Sequence, residues 1–279
     1  MNTTELASAA SVLIVKPLSV YDPAVADRRI AEEFAAAHNL AARQISGQKR
    51  LLPRNLFDPL RQLMKGLAAT VHDMSSPWED GGVRIIRAEL IPDFIEAFDT
   101  FHQKWTHEVE SVLSDWDSVR ALSRQLLNGA FDERKFPSSD KIRTHLTVTY
   151  EFRPVPTSGD FRVDVPAEAI SSMEVAFAER LAAQKQRLRD ELMAALTALR
   201  TKMRTWTPGH SRLHTSMLSD IVDFAGRLPK LMLDPDPVLI SAAESARLAF
   251  AAMDADELRD SDDARANAAS TVDSILVTL

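Results

Sequence analysis

The sequence predicts a mainly α-helical protein: an elongated antiparallel helical arm, coiled-coil-like, with an inserted β-hairpin, plus a C-terminal helical region. Three observations predict it. Apolar residues step by three or four without a break from Ile170 to Trp206, the spacing of one helix face. Thr144–Arg153 (THLTVTYEFR) alternates strictly, the spacing of a strand. Glycine is scarce, 8 in 279 residues, whereas Ala, Leu, Arg and Glu, which lose little rotamer freedom in a helix, are abundant.

Residues 1–10 read as a flexible tail. Residues 11–82 read as a strand and two helices. Ser11–Val20 holds the apolar run Val12–Val15 and is broken by Pro17. Asp22-Pro23 opens a helix, Asp as cap and Pro in the first turn. Ile30, Phe34, Ala37, Ala41 and Ile45 carry it over 24–45, and Ser46-Gly47 ends it. After Pro53 a second helix runs to about His72 on Leu56, Leu60, Leu63, Leu67 and Val71. Ser75–Gly82 (SSPWEDGG) reads as a turn-rich connector.

The arm occupies 83–207. A short strand over Val83–Leu90 leads into a helix from Pro92, with the stripe Phe94, Phe98, Phe101, Trp105, Val109, Val112 and Trp116. That helix continues or restarts to Leu127, and Asn128-Gly129 stops it. The hairpin spans 144–165, its first strand placing Leu146, Val148, Tyr150 and Phe152 on one face, and Phe161, Val163 and Val165 alternating in the second. A helix over about 167–206 follows, ended by Pro208-Gly209. Forty residues at 1.5 Å each span roughly 60 Å, so the stripe needs a partner along its length. The aromatic helix, returning antiparallel, is the natural one. Helices over Ser211–Leu228, Val238–Met253 and Asp263–Leu279 make up 208–279, joined by the loop Leu231–Pro237 and the acidic stretch Asp254–Asp262.

Composition excludes several functions. The chain is 45% hydrophobic and 26% charged with a net charge of −7, which argues against a general affinity for polyanions. It contains no Cys, so disulfides, zinc–thiolate sites and thiol catalysis are ruled out. Val12–Val15 is too short for a signal-peptide core or a membrane span, and a cytoplasmic location with no membrane partner is expected. No nucleophile elbow, phosphate loop or dinucleotide fingerprint occurs. No catalytic residue, cofactor or metal is therefore assigned. His210 and His214, four apart, would share a helix face, but they lack the third ligand a metal site needs. The acidic stretch lacks the central Gly and bidentate Glu of a calcium loop and reads as an exposed linker, or more sharply as a contact for a basic partner. Trp105, Trp116 and Trp206 lie in apolar stripes and read as core.

Two sets of residues remain as candidate sites. Arg43, Lys49, Arg50, Arg54, Arg61 and Lys65 stand against the single acid Asp58. Arg134, Lys135, Lys141, Arg143, Arg153 and Arg162 surround the hairpin near Tyr150 and Phe152. From these, Arg43, Lys49, Arg50, Arg54, Lys141, Arg143, Arg153 and Arg162 form a candidate surface for single-stranded DNA, cations meeting phosphates and rings stacking on bases. The alternative is a buried aromatic face with solubilising cations outside. The second set is the seam of the long helix, Leu181, Gln184, Leu188 and Leu192, a candidate homo-oligomer contact. A polar residue in such a seam sets register or oligomer state, or is simply accommodated.

The run Lys135–Arg143 (KFPSSDKIR), with Tyr150–Pro156 (YEFRPVP), Asp160–Val163 (DFRV), Leu231–Leu239 (LMLDPDPVL) and Asp256–Arg259 (DELR), resembles a family of phage and prophage proteins, the domain of unknown function 3150. The resemblance spans about residues 11–279. It implies a phage-encoded, non-enzymatic role in DNA metabolism or as adaptor to a partner such as an AAA+ ATPase or another phage protein. The family has no assigned activity, so it supplies no catalytic residues. The expected function is a phage accessory protein that self-associates or docks partners through its arm. Single-stranded nucleic-acid binding is the alternative.

Overall fold

A computed structural model describes residues 8–155, 166–207, 210, 212–214 and 216–279. The chain is mainly α, with two small antiparallel sheets. It divides into two units, each assembled from separate stretches: unit 1 is Met1–Ile14, Val71–Pro92 and Glu151–Leu279, and unit 2 is Val15–Thr70 and Asp93–Tyr150. The second strand of the expected hairpin (161–165), Arg162 and the terminator Pro208-Gly209 lie outside the described residues, as do residues 1–7 of the expected tail.

The elements in chain order are β1 (Ala10–Lys16), β2 (Ala24–Ala26), α1 (Arg28–Ala37), β3 (Gln48–Arg50), α2 (Asp58–Met74), β4 (Ser76–Glu79), β5 (Val83–Arg87), α3 (Ile91–Leu113), α4 (Trp116–Leu127), α5 (Ser139–His145), β6 (Thr149–Pro154), α6 (Ala167–Arg204), α7 (Ser216–Leu231), α8 (Pro237–Ala251), α9 (Ala255–Asp260) and α10 (Asp262–Thr278).

The larger sheet has the order β4-β5-β1-β6. β1 pairs with β5 from Ala10 opposite Arg87 to Leu13 opposite Arg84, and its run is buried on both faces, as expected of an inner strand. The SSPWEDGG segment is a strand and a turn, not a connector alone. Ser76 and Trp78 point inward while Pro77 and Glu79 point out, and Gly81 and Gly82 both take positive φ, 75° and 82°, which joins β4 to β5 tightly. The alternation over Thr144–Arg153 is strand only from Thr149. Ser138 caps the Lys141 N–H and starts α5, which ends at His145, so Leu146 and Val148 are buried beyond a helix end.

Unit 2 holds the aromatic stripe. α3 buries Phe94, Phe98, Phe101, Trp105, Val109 and Leu113, taking Leu113 where Val112 was expected. Tyr150 packs edge-on against Phe98 at 4.6 Å and Phe94 at 5.6 Å, and Trp105 Nε1 donates to the Leu146 carbonyl at 2.6 Å. α4 begins at Trp116, whose Nε1 donates to the Pro137 carbonyl at 3.0 Å, and ends where Asn128 takes φ 45°.

α1 differs from expectation in length and in facing. It stops at Ala37 because Asn39 turns left-handed, φ 55°, a conformation Asn tolerates at a helix end, and the Leu40 N–H closes on the Ala35 carbonyl at 2.9 Å. It buries Ala31 and Ala35 and leaves Ile30 37% and Phe34 50% exposed. The reason is a close approach: the Asp27 N–H donates to the Gly47 carbonyl at 2.9 Å, where β2 pairs with β3 from Ala24 opposite Arg50 to Ala26 opposite Gln48. Only small residues fit where the backbone of residue 47 meets the helix. A Cβ on Gly47 would lie 2.8 Å from both the Ala31 nitrogen and the Asp27 oxygen. Gly47→Ala is expected to cost unit 2 about 1–3 kcal/mol through overpacking, read as faster hydrogen exchange along α1. Unchanged exchange would show that the two backbones do not meet.

Unit 1 packs α6 against α7, α10 and β4, and α7 against α8. The stripe of α6 is divided between two clusters. Phe177 and Leu181 join Ala10, Val12, Ile14, Trp78, Ile85, Val155 and Leu233 over the sheet. Leu188, Leu192, Leu196, Leu199 and Met203 join the apolar faces of α7, α8 and α10. The α6 stripe thus packs into two clusters drawn from unit 1, in place of the coiled-coil-like seam expected for it. The acidic stretch is ordered rather than a plain linker. Asp254 caps α9 by accepting from the Asp256 N–H at 2.8 Å, and Arg259 and Arg265 pair with Asp256 and Asp262.

Candidate functional site

The seam residues of α6 are core. Leu181, Leu188 and Leu192 are buried in the clusters of unit 1, and Gln184, 2% exposed, sits where those clusters meet. Its Nε2 donates to Ser76 Oγ at 3.0 Å and to the Leu231 carbonyl at 2.8 Å. Gln184 joins β4 to the end of α7 within one chain. The oligomer contact expected at this seam is therefore corrected, because the chain's own elements fill it.

The basic set is largely engaged. Lys49 pairs with Asp27 at 3.0 Å, donates to the Ala130 carbonyl at 2.6 Å and is only 12% exposed along its side chain. That ammonium hydrogen bond holds the Asp27 carboxyl below its ordinary value against a smaller opposing effect of burial. The pair's contribution is complete above the ordinary carboxylate pKa and is lost as pH falls through the lowered one. Arg50 pairs with Asp22 at 3.2 Å, Arg143 with Glu110, and Arg153 with Glu151 through two bonds of 2.8 and 2.9 Å. Lys49 is thus held within the chain, whereas Arg50, Arg143 and Arg153 stay about half exposed beside their acids. Arg43, Arg54 and Lys141 are exposed without an ion pair among the described residues. Tyr150 is half-buried and packs on Phe94 and Phe98.

The histidine pair is not on a helix. α7 begins at Ser216, after His210 and His214, so their four-residue spacing places them on no common face. Among the described residues, no group of three or more His, Asp or Glu is placed to hold a metal ion.

What the structure assembles instead is a groove in unit 1. It is a cavity of about 470 Å³ between α6 and α7, beside the last turn of α2. Its floor is apolar: Ala195, Ala198, Met217, Ile221 and Phe224. Its rim carries Asp73, Glu191, Asp220, Asp223 and Arg227. Arg227 Nη1 reaches Asp73 Oδ1 at 2.6 Å. His72 lies 3.6 Å from Asp73 and 3.8 Å from Glu191. Behind Glu191, Arg84 donates to Ser75 Oγ at 2.7 Å and to the Ser75 carbonyl at 2.6 Å. Burial lowers the guanidinium's pKa, and the Glu191 charge opposes that. Asp220 and Asp223, both exposed, have neither ion-pair nor hydrogen-bond partner among the described residues.

Sequence reading missed this groove because it joins three separated stretches. The local signal was present only on α7, where residues 220, 223 and 227 share a face at helical spacing. No family model, curated protein or solved structure matches the chain. The groove is therefore read from its own chemistry. Unit 1 holds 25 Asp and Glu against 17 Lys and Arg, a net −8, and unit 2 holds 15 against 16, a net +1. The negative charge of the chain resides in the unit that carries the groove. Among the described residues, no helix is long and apolar enough to cross a membrane.

Proposed function

We propose that the chain is a non-enzymatic phage accessory protein that docks a partner protein in the groove between α6 and α7, within the host cytoplasm and in the setting of phage DNA metabolism. The observation that carries the docking is an apolar floor whose rim includes Asp220 and Asp223, two exposed carboxylates with no ion-pair or hydrogen-bond partner among the described residues. Pockets of this kind, mostly apolar with a few convergent polar groups, are where proteins receive ligands. Asp220 and Asp223 are solvent-exposed, as the polar rim of a recognition site is. The phage setting, and an AAA+ ATPase or another phage protein as the partner, rest on the family resemblance alone.

The test is recovery of a partner by the tagged chain from cells carrying the phage, with nuclease treatment throughout. Asp220→Lys with Asp223→Lys is expected to reduce recovery at least tenfold, while Arg43→Glu with Arg54→Glu leaves it unchanged. Equal recovery by both variants would remove the groove from the function.

Arg43, Arg54 and Lys141 favour a second reading, direct binding of single-stranded DNA by unit 2. Three phosphate contacts predict a slope of about −2 for log affinity against log salt. A titration across salt concentrations checks it: charge reversal at the three residues flattens the slope, whereas Arg143→Glu leaves it alone. No complex with oligonucleotide at low salt would end this reading.

A further inference from the structure

We propose that the occupant of the groove is a basic amphipathic segment of a partner polypeptide, an arginine or lysine head between Asp220 and Asp223 and neighbouring apolar side chains on Met217, Ala195 and Ala198. The inference rests on the docking reading and names the chemistry that fits it.

The charges decide the class. Arg227 lies four residues after Asp223, the spacing of a helical ion pair, yet its guanidinium crosses to Asp73 at 2.6 Å. Glu191 faces His72 and the half-buried Arg84. Asp220 and Asp223 are left on successive positions of one ridge of α7, three residues apart and about 5–6 Å between Cβ atoms, a separation that one forked guanidinium spans. An anionic partner such as nucleic acid meets net negative charge here. A wholly apolar partner would strip water from two carboxylates without replacing their hydrogen bonds. A simple polycation leaves the floor uncovered. A segment with both a cationic head and an apolar side satisfies rim and floor together, as Arg and Lys do when their stems lie on apolar surface.

The test uses the full chain with its methionine methyls labelled, because Met217 lines the groove and Met64, buried in unit 2, is an internal control. The probe is a short helical peptide with Leu and Arg at i, i+4 spacing. Three comparison probes are its Glu-for-Arg analogue, its Ser-for-Leu analogue and spermine. The Leu/Arg peptide is expected to shift Met217 and not Met64. Asp220→Asn with Asp223→Asn is expected to weaken it at least tenfold while leaving the melting temperature unchanged. Equal binding of spermine or of the Ser-for-Leu peptide would overturn the proposal, showing charge attraction alone. Equal binding by the Asn variant, or no binding at all, overturns it too. A Met217 shift that follows the chain's own concentration would make the occupant a second copy and likewise refute it. If charge reversal abolishes partner recovery while the Leu/Arg peptide fails to bind, docking stands and the basic segment falls. If recovery survives charge reversal, the docking reading itself falls.

Discussion

Leu192→Ala will lower the stability of unit 1 by about 3–4 kcal/mol. Leu192 is 0% exposed and lies within the cluster that joins α6 to α7, α8 and α10. Removing its isobutyl group loses the transfer free energy of the buried atoms and leaves a cavity that rigid helices close only in part. Met193→Ala, one residue on and 36% exposed, is the comparison and should cost under about 1 kcal/mol. Native-state hydrogen exchange along α6 measures both, and it avoids treating a chain of two units as one transition. The loss should not depend on protein concentration, because the neighbours of Leu192 belong to the same chain. A concentration-dependent loss would restore the seam as a contact between copies.

The second large effect is at Gln184, and its sign separates two roles. In a seam between copies, Gln184→Leu would stabilise the assembly and change its stoichiometry, since a polar seam residue sacrifices stability for register. Here the same substitution strands the Leu231 carbonyl and the Ser76 hydroxyl, which receive the Gln184 amide. An unsatisfied buried group costs about 1–3 kcal/mol. The added apolar contact offsets part of this, so Gln184→Leu should destabilise unit 1 by about 2 kcal/mol. Gln184→Ala should cost about 3 kcal/mol, because a cavity adds to the lost bonds. Denaturant titration together with light scattering decides it: lower stability with an unchanged mass is the expected pair of results, and a gain in stability would refute the internal role.

Several elements were legible in the sequence because their determinants are local. The stripe from Phe177 to Met203 marks a helix whether it faces a partner chain or its own core. Asn128-Gly129 and Gly81-Gly82 mark their turns by backbone preference, and Asp236-Pro237 marks a helix start, the Asp side chain capping it. α1 was legible as a helix but not in its facing. Its larger residues, Ile30 and Phe34, suggest the buried side, yet the close backbone of Gly47 admits only Ala31 and Ala35. The strand over Thr144–Arg153 was half legible, since the cap at Ser138 starts a helical turn that overrides alternation until Thr149.

The candidate site was scarcely legible. A list of cations from 43 to 65 and around the hairpin looks free in sequence because their acids are distant: Asp22 and Asp27 for Arg50 and Lys49, Glu110 for Arg143. Conversely, Asp73, Glu191 and Asp223 look like ordinary surface acids until the fold gathers them around one apolar floor.

By itself the sequence determined the helical class, the long helix and its apolar stripe, and the absence of thiol chemistry, since these follow from residue type and from the 3.6-residue period of a helix. Tertiary structure alone decided what that stripe touches, which charges are spent and where an uncompensated pair of carboxylates borders open apolar surface. Burial and charge compensation are properties of neighbours in space, and no periodicity in a chain can specify which distant residue a side chain will meet.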